Sequence, residues 1–159
     1  AFSKDGTITA ANSSSISDGA AALVLTTEEY AQSHGLNTLA KIVATSTHSQ
    51  HPSEFTIAPI GAMEKLFAKT GWNVADVDLF EINEAFAMVT MAAMIKHNIP
   101  HDKVNVHGGA CALGHPVGST GSRIVLSLIH ALKQYGGKRG VASLCIGGGE
   151  ATAMAIELI

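Results

Sequence analysis

Apolar and polar residues follow two spacings along the chain, one typical of strands and one typical of helices. Short apolar runs predict strands at 21–25, 39–45, 77–82, 104–107, 141–146 and 151–159. Apolar residues at three- and four-residue spacing predict helices at 26–34, 59–70, 83–97 and 119–135. Gly35, Gly71 and Gly136 suit the ends of three helices, while Asn83 and Glu84 suit the start of another. The alternation predicts an α/β fold with a layered, mostly buried sheet.

The segments between these elements are rich in glycine, proline and small polar residues, which predicts loops. Residues 1–20 predict an entry loop, and Pro52 breaks any regular element within 48–55. The sequence GGGE at 147–150 joins two apolar runs and predicts the turn of a β-hairpin. No internal repeat or linker interrupts the chain, so the sequence predicts a single domain.

Composition narrows the class of protein. The 159 residues are 47% hydrophobic and 14% charged, which is typical of an ordered globular domain. Lys and Arg are spread singly and the net charge is −3, so neither nucleic acid nor an anionic membrane is an expected partner. No apolar run reaches the ~18 residues of a membrane helix. Two cysteines provide no disulfide framework, which favours a reducing, intracellular compartment.

Two glycine-rich runs hold both cysteines. The first is GGACALGHPVGSTGSR at 108–123, with Cys111 and His115, and the second is CIGGGEA at 145–151. A zinc site needs four ligands at workable spacing, and the other histidines are scattered, so no metal is expected. A phosphate-binding loop needs a helix after its glycines and, in the Walker type, a lysine. Neither run combines these features, so neither predicts phosphate binding.

Acyl-transfer chemistry fits both runs. Glycines let backbone N–H groups approach a developing oxyanion. Cys145, at the end of a strand, is placed to act as nucleophile or general base, and His115 can take a proton from a thiol. The structural alternatives are a buried apolar role for Cys145 and an ordinary loop position for His115. The spacing alone leaves these alternatives open.

Four blocks of the sequence resemble the thiolase family. They are TITAANSSSISDGAAALVL at 7–25, NEAFA at 83–87, GGACALGHPVGSTG at 108–121 and CIGGGEATA at 145–153. The blocks come in the family's order and cover nearly the whole chain. The resemblance implies that residues 1–159 form a thiolase C-terminal domain, entered through the loop at 1–20. It also implies a mixed β-sheet with helices on both faces.

The resemblance implies a role for four catalytic residues. Cys145 matches the acid/base cysteine that removes the α-proton of the second acetyl-CoA. His115 matches the histidine that activates the nucleophilic cysteine and lines an oxyanion hole. Asn83 matches the residue that holds a water of that oxyanion hole, and Gly147 matches a backbone N–H donor of a second one.

The resemblance also implies a substrate-binding tunnel. Ser14 matches a serine that contacts the pantetheine of CoA, with Ala85 and Phe86 near the same tunnel. Cys111 falls where the family usually has an apolar residue, so it is expected to serve packing. A disulfide between Cys111 and Cys145 would disable the acid/base thiol and is not expected.

The implied activity is the reversible condensation of two acetyl-CoA molecules to acetoacetyl-CoA and CoA. It follows a Cys/His/Cys ping-pong mechanism, with CoA thioesters as substrates and no cofactor. Thiolases carry their nucleophilic cysteine in the N-terminal half, and this chain holds no match to it, so we expect the chain alone to be inactive. Its start, AFSKDGTITA, has neither Met nor a signal pattern, which also indicates a processed chain or a piece of a longer one.

Two alternatives remain at this level. A degradative 3-ketoacyl-CoA thiolase uses the same chemistry, although Glu150 resembles a variant of the biosynthetic type. A thiolase-like domain could also act as a non-catalytic CoA-binding or assembly module. The resemblance further implies a dimer or tetramer for the full-length protein and a cytoplasmic or mitochondrial location.

Overall fold

A computed structural model describes residues 3–159 and shows a four-stranded sheet. The strands are β1 (Ala40–Ser49), β2 (Leu79–Ile82), β3 (Arg139–Ile146) and β4 (Glu150–Leu158). Their order across the sheet is β1-β4-β3-β2. β4 pairs antiparallel with β1 and β3, whereas β2 pairs parallel with β3. The sheet is therefore mixed, which confirms the fold prediction.

The helices vary widely in length. They are α1 (Glu28–Ser33), α2 (Ala58–Thr70), α3 (Ala87–His97), α4 (Ala110–Leu113) and α5 (Thr120–Tyr135). Gly71 and Gly136 end α2 and α5 in the left-handed conformation, as predicted. Within residues 3–159, no helix combines the length and the apolar character needed to cross a membrane.

Helices cover both faces of the sheet, and each face has its own core. Met63 of α2 packs with Phe80 and Val141 on one face, which α3 also covers. Leu128 of α5 packs with Ala142 on the other face. Val141 and Ala142 are consecutive in β3, and consecutive side chains of a strand point to opposite faces. The predicted arrangement of helices on both faces is confirmed.

The predicted strand at 21–25 is wrong. Val24 and Leu25 are 92% and 73% exposed, and no strand of the sheet pairs with this segment. An apolar run forms a strand only where a partner satisfies its backbone N–H and C=O groups. In the described part of the chain, the strands that pair in the sheet are β1 to β4.

The predicted helix start at Asn83 is also wrong. The backbone N–H of Asn83 donates to the carbonyl of Ser143 at 2.9 Å, which continues the β2–β3 ladder beyond the end of β2. The helix α3 begins at Ala87, and Phe86 occupies its N-cap position. Pairing with the neighbouring strand therefore overrides the local capping signal of Asn83, and Glu84 lies before the first turn of α3.

Two further segments differ in length from the predicted elements. Residues 104–107 form only an isolated bridge, between Val104 and Phe80, because Asn105 is left-handed with a φ of 48°. The predicted loop at 48–55 is shorter than expected, since β1 extends to Ser49. A 3-10 helix then spans Pro52–Ile57.

Gly149 is the glycine that the β3–β4 turn requires. Its φ is +94°, and a Cβ built on it would collide with the backbone of Gln50 and Pro52. We expect Gly149→Ala to lower the free energy of unfolding by about 2 kcal/mol, because the left-handed conformation alone costs a non-glycine residue roughly 1–2 kcal/mol. Urea denaturation of the chain measures the loss.

Gly147→Ala is the matched control for this turn. A Cβ on Gly147 would meet nothing within 4 Å. We expect its free energy of unfolding to stay within about 0.5 kcal/mol of the unmodified chain. Equal losses at the two positions would contradict the special requirement at Gly149.

Candidate active site

The candidate site lies where two parallel strands end side by side. Asn83 directly follows β2, and Cys145 is the next-to-last residue of β3. β2 and β3 are parallel, with Ile82 opposite Ser143. The carboxyl ends of parallel strands meet at one edge of a sheet, which is a common place for a binding site. The fold therefore brings Asn83 and Cys145 to the same edge.

His115 joins this edge through a direct contact with Asn83. The side-chain Nδ2 of Asn83 lies 3.4 Å from Nε2 of His115. On the other side of the ring, Nδ1 of His115 lies 2.7 Å from Oγ1 of Thr120, whose hydroxyl donates to the carbonyl of Pro116 at 3.0 Å. The imidazole is thus held from both sides.

This network assigns the tautomer of neutral His115. A threonine hydroxyl has a single proton, and Thr120 gives its proton to Pro116. The Nδ1–H of His115 therefore donates to Thr120, and Nε2 keeps its lone pair. That lone pair accepts the N–H of Asn83, so both contacts agree on one tautomer. Nε2 faces Asn83 as the basic nitrogen.

The orientation of the Asn83 amide is fixed from its far side. Nη2 of Arg123 donates to Oδ1 of Asn83 at 3.2 Å, so the NH2 group must face His115. Asn83 itself is 2% exposed. A buried amide with both ends hydrogen-bonded is rigidly placed.

The entry loop holds the backbone of His115. The backbone N–H of His115 donates to the carbonyl of Ser15 at 2.8 Å, and Ile16 forms a parallel bridge with His115. Residues 1–20 were predicted as an entry loop, with Ser14 in the substrate-binding tunnel. The structure shows that part of this loop positions a candidate catalytic residue.

Electrostatics favour a neutral imidazole at this position. Burial lowers the pKa of His115 below its ordinary value, and the nearby Arg123 guanidinium lowers it further. A neutral histidine whose Nε2 carries no proton can accept one. Once protonated, the same Nε2–H can donate to an oxyanion.

Cys145 is a free thiol and half-buried. Burial raises the pKa of the Cys145 thiol. A thiol of this kind holds its proton at neutral pH and can give it to a stronger base. Gly147 lies in the exposed β3–β4 turn, with open space where a side chain would stand. Its predicted role as an oxyanion donor stays a prediction.

The three predicted tunnel residues come together in the structure. The backbone N–H and the hydroxyl of Ser14 both donate to the carbonyl of Ala85, at 3.2 and 3.0 Å. Ser13 forms an antiparallel bridge with Phe86, whose ring lies 6.4 Å from that of Phe55. The Ser14 hydroxyl thus donates within the protein, and its contact with pantetheine stays a prediction.

Cys111 and Glu84 form a small structural unit beside the site. The Glu84 carboxylate accepts the backbone N–H of Cys111 at 3.0 Å and the side-chain amide of Asn105 at 3.0 Å. Sγ of Cys111 lies 3.8 Å from the carbonyl of Glu84. Glu84 therefore meets the first turn of α4 rather than that of α3. Burial raises the pKa of the Cys111 thiol, and Glu84 raises it further.

Sequence inspection missed Thr120, Arg123 and Glu81. Thr120 and Arg123 lie three residues apart in the first turn of α5 and hold His115 and Asn83 respectively. Glu81 is 2% exposed on β2. A charged residue between Phe80 and Ile82 in the apolar strand 77–82 was a visible signal for Glu81. The partner of Arg123 lies 40 residues away in the sequence.

Among residues 3–159, no group of three or more His, Cys, Asp and Glu side chains is placed to hold a metal ion. The chemistry available at the site is that of a thiol, an imidazole, an amide and backbone N–H groups.

Family comparisons divide the chain in two. The family model for the thiolase C-terminal domain matches residues 36–158. The family model for the thiolase N-terminal domain matches residues 1–29. The matches meet at α1, between residues 29 and 36.

Relatives match over nearly the whole chain. The rat cytosolic acetyl-CoA acetyltransferase is 49% identical over 152 residues, which are 96% of this chain and 38% of the rat protein. The crystal structure of the Bacillus anthracis acetyl-CoA acetyltransferase has a TM-score of 0.97 at 47% identity, covering 100% of this chain and 40% of that one.

A thiolase with a different name is nearly as similar in structure. The human mitochondrial 3-ketoacyl-CoA thiolase in complex with CoA has a TM-score of 0.92 at 38% identity, covering 100% of this chain and 40% of that one. The chain thus spans about two-fifths of the length of these relatives. The match of the C-terminal family model and the identity to these proteins show that the chain belongs to the thiolase family.

Proposed function

We propose that this chain supplies the acid/base half of the active site of an acetyl-CoA acetyltransferase. The reaction is the reversible condensation of two acetyl-CoA molecules to acetoacetyl-CoA and CoA. The observation that carries the proposal is the hydrogen-bonded pair of Asn83 and His115, at the same sheet edge as the free thiol of Cys145. In this proposal, the nucleophilic cysteine belongs to the rest of the thiolase N-terminal domain, of which residues 1–29 match a part.

His115 serves the acylation step. Nε2 takes the proton of the nucleophilic thiol, and the resulting thiolate attacks the acetyl carbonyl of the first acetyl-CoA. The thioester C–S bond breaks, and the CoA sulfur takes the proton of Cys145. The raised pKa of Cys145 suits this role, because the thiol still carries its proton when the leaving group forms. Cys145 is left as a thiolate.

Cys145 serves the condensation step. Its thiolate removes the α-proton of the second acetyl-CoA, and the Nε2–H of protonated His115 and a water held by Asn83 stabilise the enolate oxygen. The α-carbon attacks the acetyl group, so a C–C bond forms and the bond to the nucleophilic sulfur breaks. His115 returns its proton to that sulfur, and Cys145 ends protonated. Gly147 is proposed to donate its N–H to the acyl-enzyme oxyanion.

Substrate binding is proposed for the segment around Ser14, Ala85 and Phe86. The substrates are CoA thioesters, and no step above needs a cofactor. A homo-oligomeric full-length protein and an intracellular location, in the cytoplasm or the mitochondrion, stay predictions. The rat relative is named as cytosolic and the human one as mitochondrial.

A degradative 3-ketoacyl-CoA thiolase is the second candidate. It is supported by the similarity to the human mitochondrial 3-ketoacyl-CoA thiolase, at 38% identity. A CoA-binding module without turnover is the third candidate, and turnover measurements separate it from both enzymes.

A substrate series on two proteins tests the proposal. The first is this chain alone, and the second is this chain preceded by the thiolase N-terminal domain, called the two-domain enzyme below. We expect the two-domain enzyme to form an acetyl adduct and to cleave acetoacetyl-CoA faster than longer 3-ketoacyl-CoA substrates. We expect the chain alone to form no adduct.

Other outcomes select the alternatives. Faster cleavage of longer substrates would identify a degradative thiolase. CoA binding without adduct or turnover by the two-domain enzyme would support the non-catalytic module. Rapid turnover by the chain alone would contradict the division of the active site between two domains.

A further inference from the structure

The amide of Asn83 has a second partner that the chemistry above does not use. Nη2 of Arg123 donates to Oδ1 of Asn83 at 3.2 Å. The other guanidinium nitrogens of Arg123, Nε and Nη1, are buried without a hydrogen-bond partner in the described part of the chain. In the described part of the chain, the guanidinium of Arg123 therefore forms its hydrogen bond with Asn83.

Arg123 and Thr120 act from the same turn of α5. They are three residues apart, so their side chains lie on one face of the helix. Thr120 holds Nδ1 of His115, and Arg123 holds the far side of the Asn83 amide. The next residue, Ile124, is 2% exposed in the core against the sheet. Packing thus fixes the first turn of α5, and the side chains of this turn hold both His115 and Asn83.

Arg123 also affects the pKa of a buried carboxyl group, that of Glu81. Glu81 is 2% exposed on β2, and its Oε1 is buried without a hydrogen-bond partner among residues 3–159. Glu81 precedes Asn83 by two positions, so the two side chains leave the chain on the same side. Burial raises the pKa of Glu81 to about 7, the Arg123 guanidinium lowers it in part, and Glu84 raises it further. When it is ionised, Glu81 offsets part of the positive charge of Arg123.

We propose that Arg123 is a positioning residue that aims the Asn83 N–H at Nε2 of His115. The proposal rests on the proposed function for its effect on rate, but its geometry stands on the hydrogen bonds alone. Without Arg123 the amide can rotate and turn Oδ1 toward the lone pair of Nε2, which is repulsive. A hydrogen bond to a charged donor also polarises the amide and strengthens its N–H as a donor.

Arg123→Met in the two-domain enzyme tests the effect on rate. Methionine keeps much of the volume and removes the charge and the donors. We expect kcat for condensation to fall roughly 10- to 100-fold, because misplacing a catalytic group by about 1 Å can cost about 100-fold. We expect KM for acetyl-CoA to stay within about threefold, since Arg123 is not proposed to touch substrate.

Arg139→Met is the matched control. Arg139 lies at the start of β3, where its Nε is 3.5 Å from Glu157 and its guanidinium stacks on Trp72. This substitution removes an arginine at the opposite end of β3 from Cys145. We expect kcat and KM to stay close to those of the unmodified enzyme. An equal fall of kcat in both variants would overturn the specific role of Arg123.

Nitrogen-15 NMR of the 159-residue chain provides a readout that does not depend on turnover. In the unmodified chain, we expect neutral His115 to carry its proton on Nδ1, with Nε2 as the acceptor. In Arg123→Met, we expect the Asn83 amide signals to shift and the titration midpoint of His115 to rise. The charged groups around the pair are Arg123 from α5 and Glu81 and Glu84 from β2 and the loop after it. We therefore expect the loss of the Arg123 positive charge to determine the direction in which the His115 midpoint shifts.

The outcomes separate the two proposals. Shifted Asn83 and His115 signals in an enzyme that condenses no acetyl-CoA would sustain the positioning role and overturn the proposed function. Unchanged signals and an unchanged kcat in folded Arg123→Met would overturn the positioning role.

If Arg123→Met does not fold, the double variant Glu81→Gln with Arg123→Met takes its place. It removes both buried ionisable groups together, so neither is left as a lone buried charge. We expect the same loss of kcat and the same Asn83 shift, because the donor to Oδ1 is absent in both. A double variant with unmodified kcat would overturn the proposal.

Discussion

Cys145→Ala in the two-domain enzyme is expected to lower kcat for acetyl-CoA condensation by roughly 10²- to 10⁴-fold, the usual contribution of a general acid or base. Alanine keeps the position at the end of β3 but removes the group that takes the α-proton. The acetyl adduct on the nucleophile is still expected to form, because a CoA thiolate is an adequate leaving group. Single-turnover mass spectrometry measures the adduct, and loss of α-proton exchange from acetyl-CoA measures the missing base.

Cys111→Ala is the matched control for Cys145→Ala. Cys111 is also a free, half-buried cysteine, but its backbone N–H is tied to Glu84 and its thiol lies against the Glu84 carbonyl. We expect kcat to change by less than about threefold, since truncating this thiol removes one weak contact. If Cys111→Ala lost condensation while Cys145→Ala kept it, the assignment of the acid/base thiol would be wrong.

Glu81→Gln is expected to change how the stability of the chain depends on pH. Burial raises the pKa of Glu81 from 4.5 to about 7. Between these values the folded chain holds a proton that the unfolded chain has lost, so stability falls as pH rises through this window. Glutamine removes the titration, so the free energy of unfolding of the variant, relative to the unmodified chain, should rise by about 3 kcal/mol from about pH 5 to about pH 8. Urea denaturation at several pH values measures this difference.

Glu64→Gln serves as the control for the titration of Glu81. Glu64 lies on the surface of α2, where its carboxylate is 3.9 Å from the ammonium of Lys96. We expect the difference from the unmodified chain to stay within about 0.5 kcal/mol at each pH. A Glu81→Gln curve that runs parallel to that of the unmodified chain would show that the Glu81 carboxyl does not titrate in this window.

The candidate site was partly visible in the sequence. Cys145 and His115 were singled out from their glycine-rich surroundings, and the thiolase resemblance added Asn83. Their hydrogen-bond partners Thr120 and Arg123 were not visible, because both fit the pattern of an ordinary amphipathic helix. A hydrogen bond such as that from Arg123 to Asn83 joins residues 40 positions apart and depends on how α5 lies on the sheet.

The element predictions succeeded where a local signal met a matching tertiary environment. The limits of α2 and α5 were predictable because Gly71 and Gly136 provide left-handed ends at the close of an amphipathic run. The strand at 21–25 and the helix start at Asn83 failed because pairing decides both. An apolar run without a partner stays irregular, and a capping residue beside a neighbouring strand joins the ladder.

The sequence by itself determined the α/β class, the limits of its longer helices and the residue types that can move protons at the site. Hydrophobic periodicity and helix-ending glycines are local properties, so they can be identified from the sequence alone. Only the tertiary structure decided which way the Asn83 amide points, which nitrogen of His115 keeps its lone pair and that a buried arginine holds them. The Asn83 amide is oriented by a hydrogen bond from Arg123, 40 positions away, whose geometry exists only once β2 and α5 are packed together. The His115 tautomer depends on the directions of the bonds that join His115, Thr120 and Pro116, which the residue types alone do not specify.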